Sequence, residues 1–206
     1  MATPLGILEF QKAIRGGVRP NLFSVFHNWP QTNGITDPVI QEISGAKGSA
    51  VTYMCKSAAL PATNVGTVEL PFRGRVIKVP GDRTYETWTG TFYMDDAFAL
   101  RSAYEKWIQL TNGVDANVAT ADIIDIFQDI SISQLDKFGG SADASGGLTE
   151  LRTYKLISAF PVSVSQVSVA YDNNDSYEEF DVEFAYQYHT TEGGANNNNV
   201  QPSVGG

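Results

Sequence analysis

Hydrophobic and polar positions alternate along most of this chain and repeat at helical spacing in only two places. Ile7, Phe10 and Ile14 form a short amphipathic pattern that stops at Gly16-Gly17. Leu22 to Phe26 reads as a strand, entered by Pro20 and closed by Pro30. In SAVTYMCKSA, residues 49–58, the apolar positions Val51, Tyr53 and Cys55 alternate, and a second strand is expected there. The Pro- and Gly-punctuated run 59–75 reads as a connection long enough to reach another subunit. Over 84–94, Thr84, Glu86, Trp88, Gly90, Phe92 and Met94 share one face. Trp88, Phe92 and Met94 suit a core, while the opposite Thr/Tyr face suits pairing in a partly wet setting. RGRVIKV, from residue 73, reads as another alternating strand, and Pro80-Gly81-Asp82 as the turn between the two.

Asp95 or Asp96 is placed to cap a helix over about 97–110 by accepting its free N–H groups. Leu100, Ala103, Tyr104 and Trp107 form its buried stripe, and Gly113 after Asn112 suits a left-handed C-cap. Residues 114–126 open a helix at Thr120 or stay extended. Ile130 and Ile132 alternate with serines in a strand that returns through LTELRTYKLISAF, a long hairpin over about 127–158 with a glycine-rich tip. After Pro161 the alternation resumes and slips near Gln166, as at a bulge. The last strand places Phe180, Val182, Phe184, Tyr186 and Tyr188 on one face and Glu179, Asp181, Glu183 and Gln187 on the other. The expected architecture is mainly β: a sandwich or partly closed antiparallel barrel flanked by one substantial helix. A single domain spans 1–192, and 193–206 is an Asn/Gly-rich flexible tail.

Composition adds limits. The 206 residues suffice for one sizeable core, and 42% hydrophobic against 18% charged residues marks a globular chain. No apolar run approaches the roughly 20 residues of a membrane helix, and the N-terminus lacks a signal-peptide pattern. Cys55 is the single cysteine, which excludes an internal disulfide and suits a reducing cytoplasm. The net charge of −9 is unevenly spread. From Leu156 onward there is no Lys or Arg, whereas Lys47, Lys56, Arg73, Arg75, Lys78 and Arg83 cluster before it. Such an asymmetry suits head-to-tail association, with solvated strands as the plainer account.

Catalytic vocabulary is thin. His27 and His189 stand at no metal-ligand spacing, Cys55 alternates with apolar neighbours, and the glycines match no phosphate-cradling motif. The acidic residues 178–183 alternate with hydrophobes, as on a solvated strand face. No catalytic, cofactor or metal residue is assigned, and no enzyme is expected.

Three stretches carry a resemblance over nearly the whole chain. GGVRPNLFSV at 16–25 holds a strand entry. LPFRGRVIKVPGDRTYETWTGTFYMDDAFALRSAYEKWI at 70–108 holds Arg-Gly-Arg, Gly-Asp-Arg-Thr, a strand tryptophan and a capped helix. Residues 132–188 hold Gln-Leu-Asp, an aromatic-Pro corner and an acidic-aromatic strand. Together, in order, they resemble the tail tube protein of contractile-tailed bacteriophages, a family similar in fold to type VI secretion tube proteins. Departures fall at 27–48, at 114–126, in the Asn-rich tail and at Thr87, where the family often has proline.

The resemblance implies a structural virion protein whose hexameric rings complete a continuous barrel and stack into a hollow tube. It implies a sheath outside, tape-measure protein and then double-stranded DNA inside, a baseplate and a tail terminator at the ends, and no membrane insertion. Assembly is expected in the host cytoplasm. Arg73, Arg75, Lys78 and Arg83 are the expected subunit-interface residues, and Glu179, Asp181, Glu183 and Gln187 the expected lumen face. Alternatives are the tube of a type VI or other contractile injection system, a baseplate tube-initiator and, from another class, a β-sandwich glycan-binding module.

Overall fold

The computed structural model describes residues 6–14, 17–30, 50–115, 117–119, 121–137, 150–172 and 176–193. Helix α1 (Ile7–Ile14) is followed by strand β1 (Phe23–His27), helix α2 (Ala50–Met54) and strand β2 (Cys55–Ala58). Strands β3 (Asn64–Phe72), β4 (Arg75–Thr84) and β5 (Trp88–Tyr93) lead into helix α3 (Ala99–Thr111) and the single turn α4 (Ile123–Ile126). Strands β6 (Gln128–Leu135), β7 (Glu150–Val164), β8 (Glu179–Ala185) and β9 (Tyr188–Gly193) complete the fold. It is mainly β and antiparallel, and the sheet does not close.

The strand order is β1-β6-β7-β8-β5-β2, with β9 also paired to β7. The 15-residue β7 belongs to both halves of the sandwich: Glu150–Ile157 runs between β6 and β9, whereas Phe160–Val164 pairs with β8. The change of layer falls at Ser158, whose φ of 54° bends the strand and whose N–H donates to Asp129 Oδ1 at 3.1 Å. Strands that switch sheets this way let one core serve both layers. Val25, Ile130, Ile132 and Leu156 enter it from one side, and Trp88, Phe92, Phe180, Val182 and Phe184 from the other. The α3 stripe of Leu100, Ala103, Tyr104, Trp107 and Leu110 completes it. Trp107 fixes α3 to α4 by donating Nε1–H to the Ile126 carbonyl at 2.9 Å.

Several expectations change. Residues 50–54 are helical, not extended, so only 55–58 form a strand. Val51 and Cys55 stand four residues apart, a spacing that serves a helix face as well as an alternating strand. Thr52 anchors this turn by donating to the Val25 carbonyl at 2.8 Å. The run 59–75 is no plain connection, since most of it is β3. Pro80-Gly81-Asp82 lies inside β4 at a register shift opposite Gly66, where a Gly81 side chain would meet Gly66 O at 3.2 Å. Asp95, not Asp96, accepts the Ala99 N–H, at 3.3 Å. Gly113 is not left-handed; it bonds instead to the Val118 carbonyl, and Asn117 takes the positive φ. Strand β7 runs through Pro161 to Val164, so its slip comes at Pro161/Ser163 rather than near Gln166. The glycine-rich tip of the long hairpin and the Asn-rich tail beyond Gly193 lie outside the described residues.

Candidate assembly interface

Strands β3 and β4 form a sheet of their own, a hairpin that leaves the sandwich between β2 and β5. Phe72 pairs with Arg75, so the loop is the two residues Arg73 and Gly74, with φ of 46° and 80°. Both values are left-handed, as a type I′ turn requires, and this turn matches the twist of long paired strands. Pro71 and Pro80 are tolerated because both strands are edges and need no second ladder.

The register divides the hairpin into two unlike faces. Val68, Leu70 and Phe72 share one with Val79, Ile77 and Arg75, while Thr67, Glu69 and Pro71 share the other with Pro80, Lys78 and Val76. On the first, Val68, Leu70, Phe72, Ile77 and Val79 are 50%, 51%, 60%, 52% and 40% exposed. A two-stranded ribbon has no core of its own and is marginal alone. This one spends five large apolar side chains on water.

Its root is held. Asn64 donates to Glu86 Oε1 at 2.9 Å, and Thr63 Oγ1 shares a 3.2 Å hydrogen bond with His189 Nε2. The Tyr85 ring meets Tyr186 at 5.9 Å and His189 edge-on at 5.5 Å. Burial, with Arg83 nearby, lowers the His189 pKa and so favours its neutral form.

The four expected interface cations do not form one patch. Arg73 lies in the turn over the Phe72 ring at 5.4 Å, and Arg75 stands beside it at the end of the apolar face. Lys78 is on the opposite face, 3.4 Å from Glu69 within the hairpin. Arg83 is at the root, opposite Val65.

The expected lumen residues also separate. Glu179, Asp181 and Glu183 lie along the outer face of β8, whereas Gln187 lies beyond the strand end, its N–H bonded to the Ile157 carbonyl at 3.1 Å. The face is not free of cations either: Lys56 Nζ sits 2.6 Å from Glu179. Asp181 accepts from Thr91 Oγ1 at 2.7 Å, and Glu183 from Thr87 Oγ1. Across β5 the register sets Thr89 against Glu183 and Thr91 against Asp181. The result is a hydroxyl-and-carboxylate surface.

Other groups with chemical potential are spent on packing. His27 is enclosed by Trp29, Tyr104, Trp107 and Phe184, and burial lowers its pKa to about 4. Burial likewise pushes the Cys55 thiol up to about 11, the reverse of an activated nucleophile. Among the described residues no group of His, Cys, Asp and Glu could hold a metal ion, and no helix is long and apolar enough to cross a membrane.

Among the described residues, then, the fold is an unclosed antiparallel sandwich with an apolar hairpin face open to water and no cluster of metal-ligating side chains. Residues 18–192 match the sequence profile of the phage tail tube proteins, and the chain belongs to that family. It is a structural family, not one of enzymes. The chain is 26% identical to the tail tube protein of Enterobacteria phage T4 over 82% of its own length and 89% of that protein's. It is 29% identical to the tail tube protein of Serratia phage KSP90, over 66% of this chain and 72% of that one. In fold it resembles a chain from the sheath-tube complex of an extracellular contractile injection system, with a TM-score of 0.55, 15% identity and coverage of 93% and 99%.

Sequence reading missed the apolar hairpin face. Its signal was present: alternating apolar residues at 68, 70, 72 and again at 77 and 79, with Arg-Gly between them.

Proposed function

We propose that this chain is the subunit of the inner tube of a contractile phage tail. Copies close into hexameric rings by joining their open sheet edges into one barrel, and the rings stack head to tail. The observation that carries this reading is the β3–β4 hairpin, whose apolar face has no cover among the described residues. In a monomer such a face and the open edges are aggregation hazards; in a tube they are the contacts. The basic residues Arg73 and Arg75 at the hairpin tip contact the neighbouring subunit, with Lys78 and Arg83 nearer its base.

The face of Glu179, Asp181 and Glu183 lines the lumen. Duplex DNA carries one negative charge per roughly 1.7 Å, so a wall of hydroxyls and carboxylates passes it without holding it. The tube encloses the tape-measure protein before DNA, is wrapped by the sheath, and ends at baseplate and terminator. It is assembled in the cytoplasm of the host and carried in the virion. The likeness in fold to the injection-system chain supports a second reading, the tube of a contractile injection machine. The two phage relatives favour the first.

Negative-stain electron microscopy of the purified chain tests the proposal. Hollow rings or tubes are expected, alone or on a baseplate seed; a strict monomer at high concentration with the seed present would overturn it.

A further inference from the structure

Helix α1 presents the same difficulty as the hairpin. Ile7, Phe10 and Ile14 form one stripe, at 74%, 63% and 51% exposure, with Leu8 beside them also exposed. A helix of eight residues is too short to persist in water unless its apolar side is packed. It also lies outside residues 18–192, the part that matches the family, so the family match does not account for it.

We propose that α1 of one copy lies along the β3–β4 hairpin of a neighbouring copy, its Ile7-Phe10-Ile14 stripe on the Val68, Leu70, Phe72, Ile77 and Val79 face. This inference rests on the tube reading and names the surfaces that one of its contacts uses. Both faces stay uncovered among the described residues, and one heterologous contact satisfies both. The dimensions agree. At about 1.5 Å per residue the stripe is about 10 Å long. The hairpin face from Val68 to Phe72 is about 13 Å at roughly 3.3 Å per residue. Two strands about 4.8 Å apart, with their side chains, make a bed of about one helix width.

Charge sets the direction. Arg75 ends the apolar face and makes no ion pair among the described residues, and Glu9 flanks the α1 stripe. Pairing them puts Ile7 near Phe72, Phe10 over Leu70 and Ile77, and Ile14 over Val68 and Val79. Each face offers on the order of 400 Å² of apolar surface, so the contact buries roughly 800 Å² in all, short of the ~1,200 Å² of a free-standing complex. It therefore works as one repeated contact in a closed assembly and not as an isolated dimer.

The test uses the full chain with Cys55→Ser, Phe10→Cys and Leu70→Cys, assembled and mildly oxidised. A ladder of covalent oligomers on a denaturing gel is expected, absent from either single-cysteine variant. Tubes visible by microscopy with only monomer on the gel overturn the docking and leave the tube reading standing. The same holds for monomer in which mass spectrometry finds the two introduced cysteines linked within one chain. A parent chain that never assembles takes both down. Should the cysteine variant alone fail to assemble, the charge swap decides. Glu9→Arg and Arg75→Glu should each reduce assembly at least tenfold, and the double variant should restore it. Failure of the double variant to recover overturns the proposal.

Discussion

His27 Nε2 lies 2.9 Å from the Tyr104 hydroxyl, so a buried hydrogen bond ties the edge strand β1 to helix α3 at the centre of the aromatic core. Neither group reaches water. Burial lowers the His27 pKa and raises that of Tyr104, so both are neutral in the fold.

Acid should therefore loosen this core. The folded pKa of His27 is about 4 against an ordinary 6.5. Between those values the unfolded chain binds the extra proton, so this contribution is complete above about pH 6.5 and is lost as pH falls toward 4. Its full size is about 3 kcal/mol, from about 1.4 kcal/mol per pH unit. Urea midpoints of the dissociated subunit should fall across that window, and His27→Gln should flatten the slope while lowering the plateau. An equal slope in the variant would assign the effect to carboxylates elsewhere.

The strand–helix core makes a second prediction. Trp107 is fully buried and donates to Ile126, so Trp107→Ala leaves both a large cavity and an orphaned carbonyl. A loss of about 3–5 kcal/mol is expected. Gly90 tests the same core from the strand side: a Cβ there would meet Trp88 Cη2 at 2.9 Å and Phe92 Cε2 at 3.1 Å. Those rings are packed, so Gly90→Ala should cost about 1–3 kcal/mol. A variant as stable as the parent at either site would mean that the rings repack freely.

Legibility in the sequence followed how far a pattern ran. The α3 stripe and the alternation of Phe180, Val182 and Phe184 were readable, because burial repeats there over two turns or three pairs. Residues 50–54 were not, since one helical turn and two alternations share positions 51 and 55. The start of β4 was legible in its alternation, but β3 was hidden by Gly66 and Pro71, and the rest of β4 by Pro80 and Gly81, which break an ordinary strand but suit a two-stranded ribbon with a bulge. Of the candidate site, Glu179, Asp181 and Glu183 were legible as one face. The cation beside Glu179 was not, because Lys56 comes from a strand more than a hundred residues earlier.

Hairpin variants should change assembly without changing the body. Arg75→Glu reverses the charge at the tip and should block polymerisation while the circular dichroism of the subunit stays as it was. Gly74→Val strains a residue at φ 80° that meets no neighbouring atom, so its cost is purely in the turn. About 1–2 kcal/mol is expected there. It should appear as faster hydrogen exchange in β3 and β4 and slower tube growth. Unaltered growth in both variants would remove the hairpin from the interface.

The outer face of β8 gives the last prediction. Glu179 is already matched by Lys56, so the charge this face adds to a lumen comes from Asp181 and Glu183. Both accept threonine hydroxyls from β5 and the residue before it, bonds that a lysine would lose. These are exposed or half-buried positions on a strand whose buried side is Phe180, Val182 and Phe184, so the fold should tolerate the change. With Asp181→Lys and Glu183→Lys together, each subunit gains four units of positive charge, and every ring repeats the gain. A basic wall binds duplex DNA by releasing counterions, an attraction that weakens steeply with salt. The expected outcome is tubes of normal appearance in particles that eject DNA slowly, with the delay relieved as salt rises. Loss of assembly would place the face at a subunit contact instead. Normal ejection at low salt from normal tubes would place it on the outside of the tube.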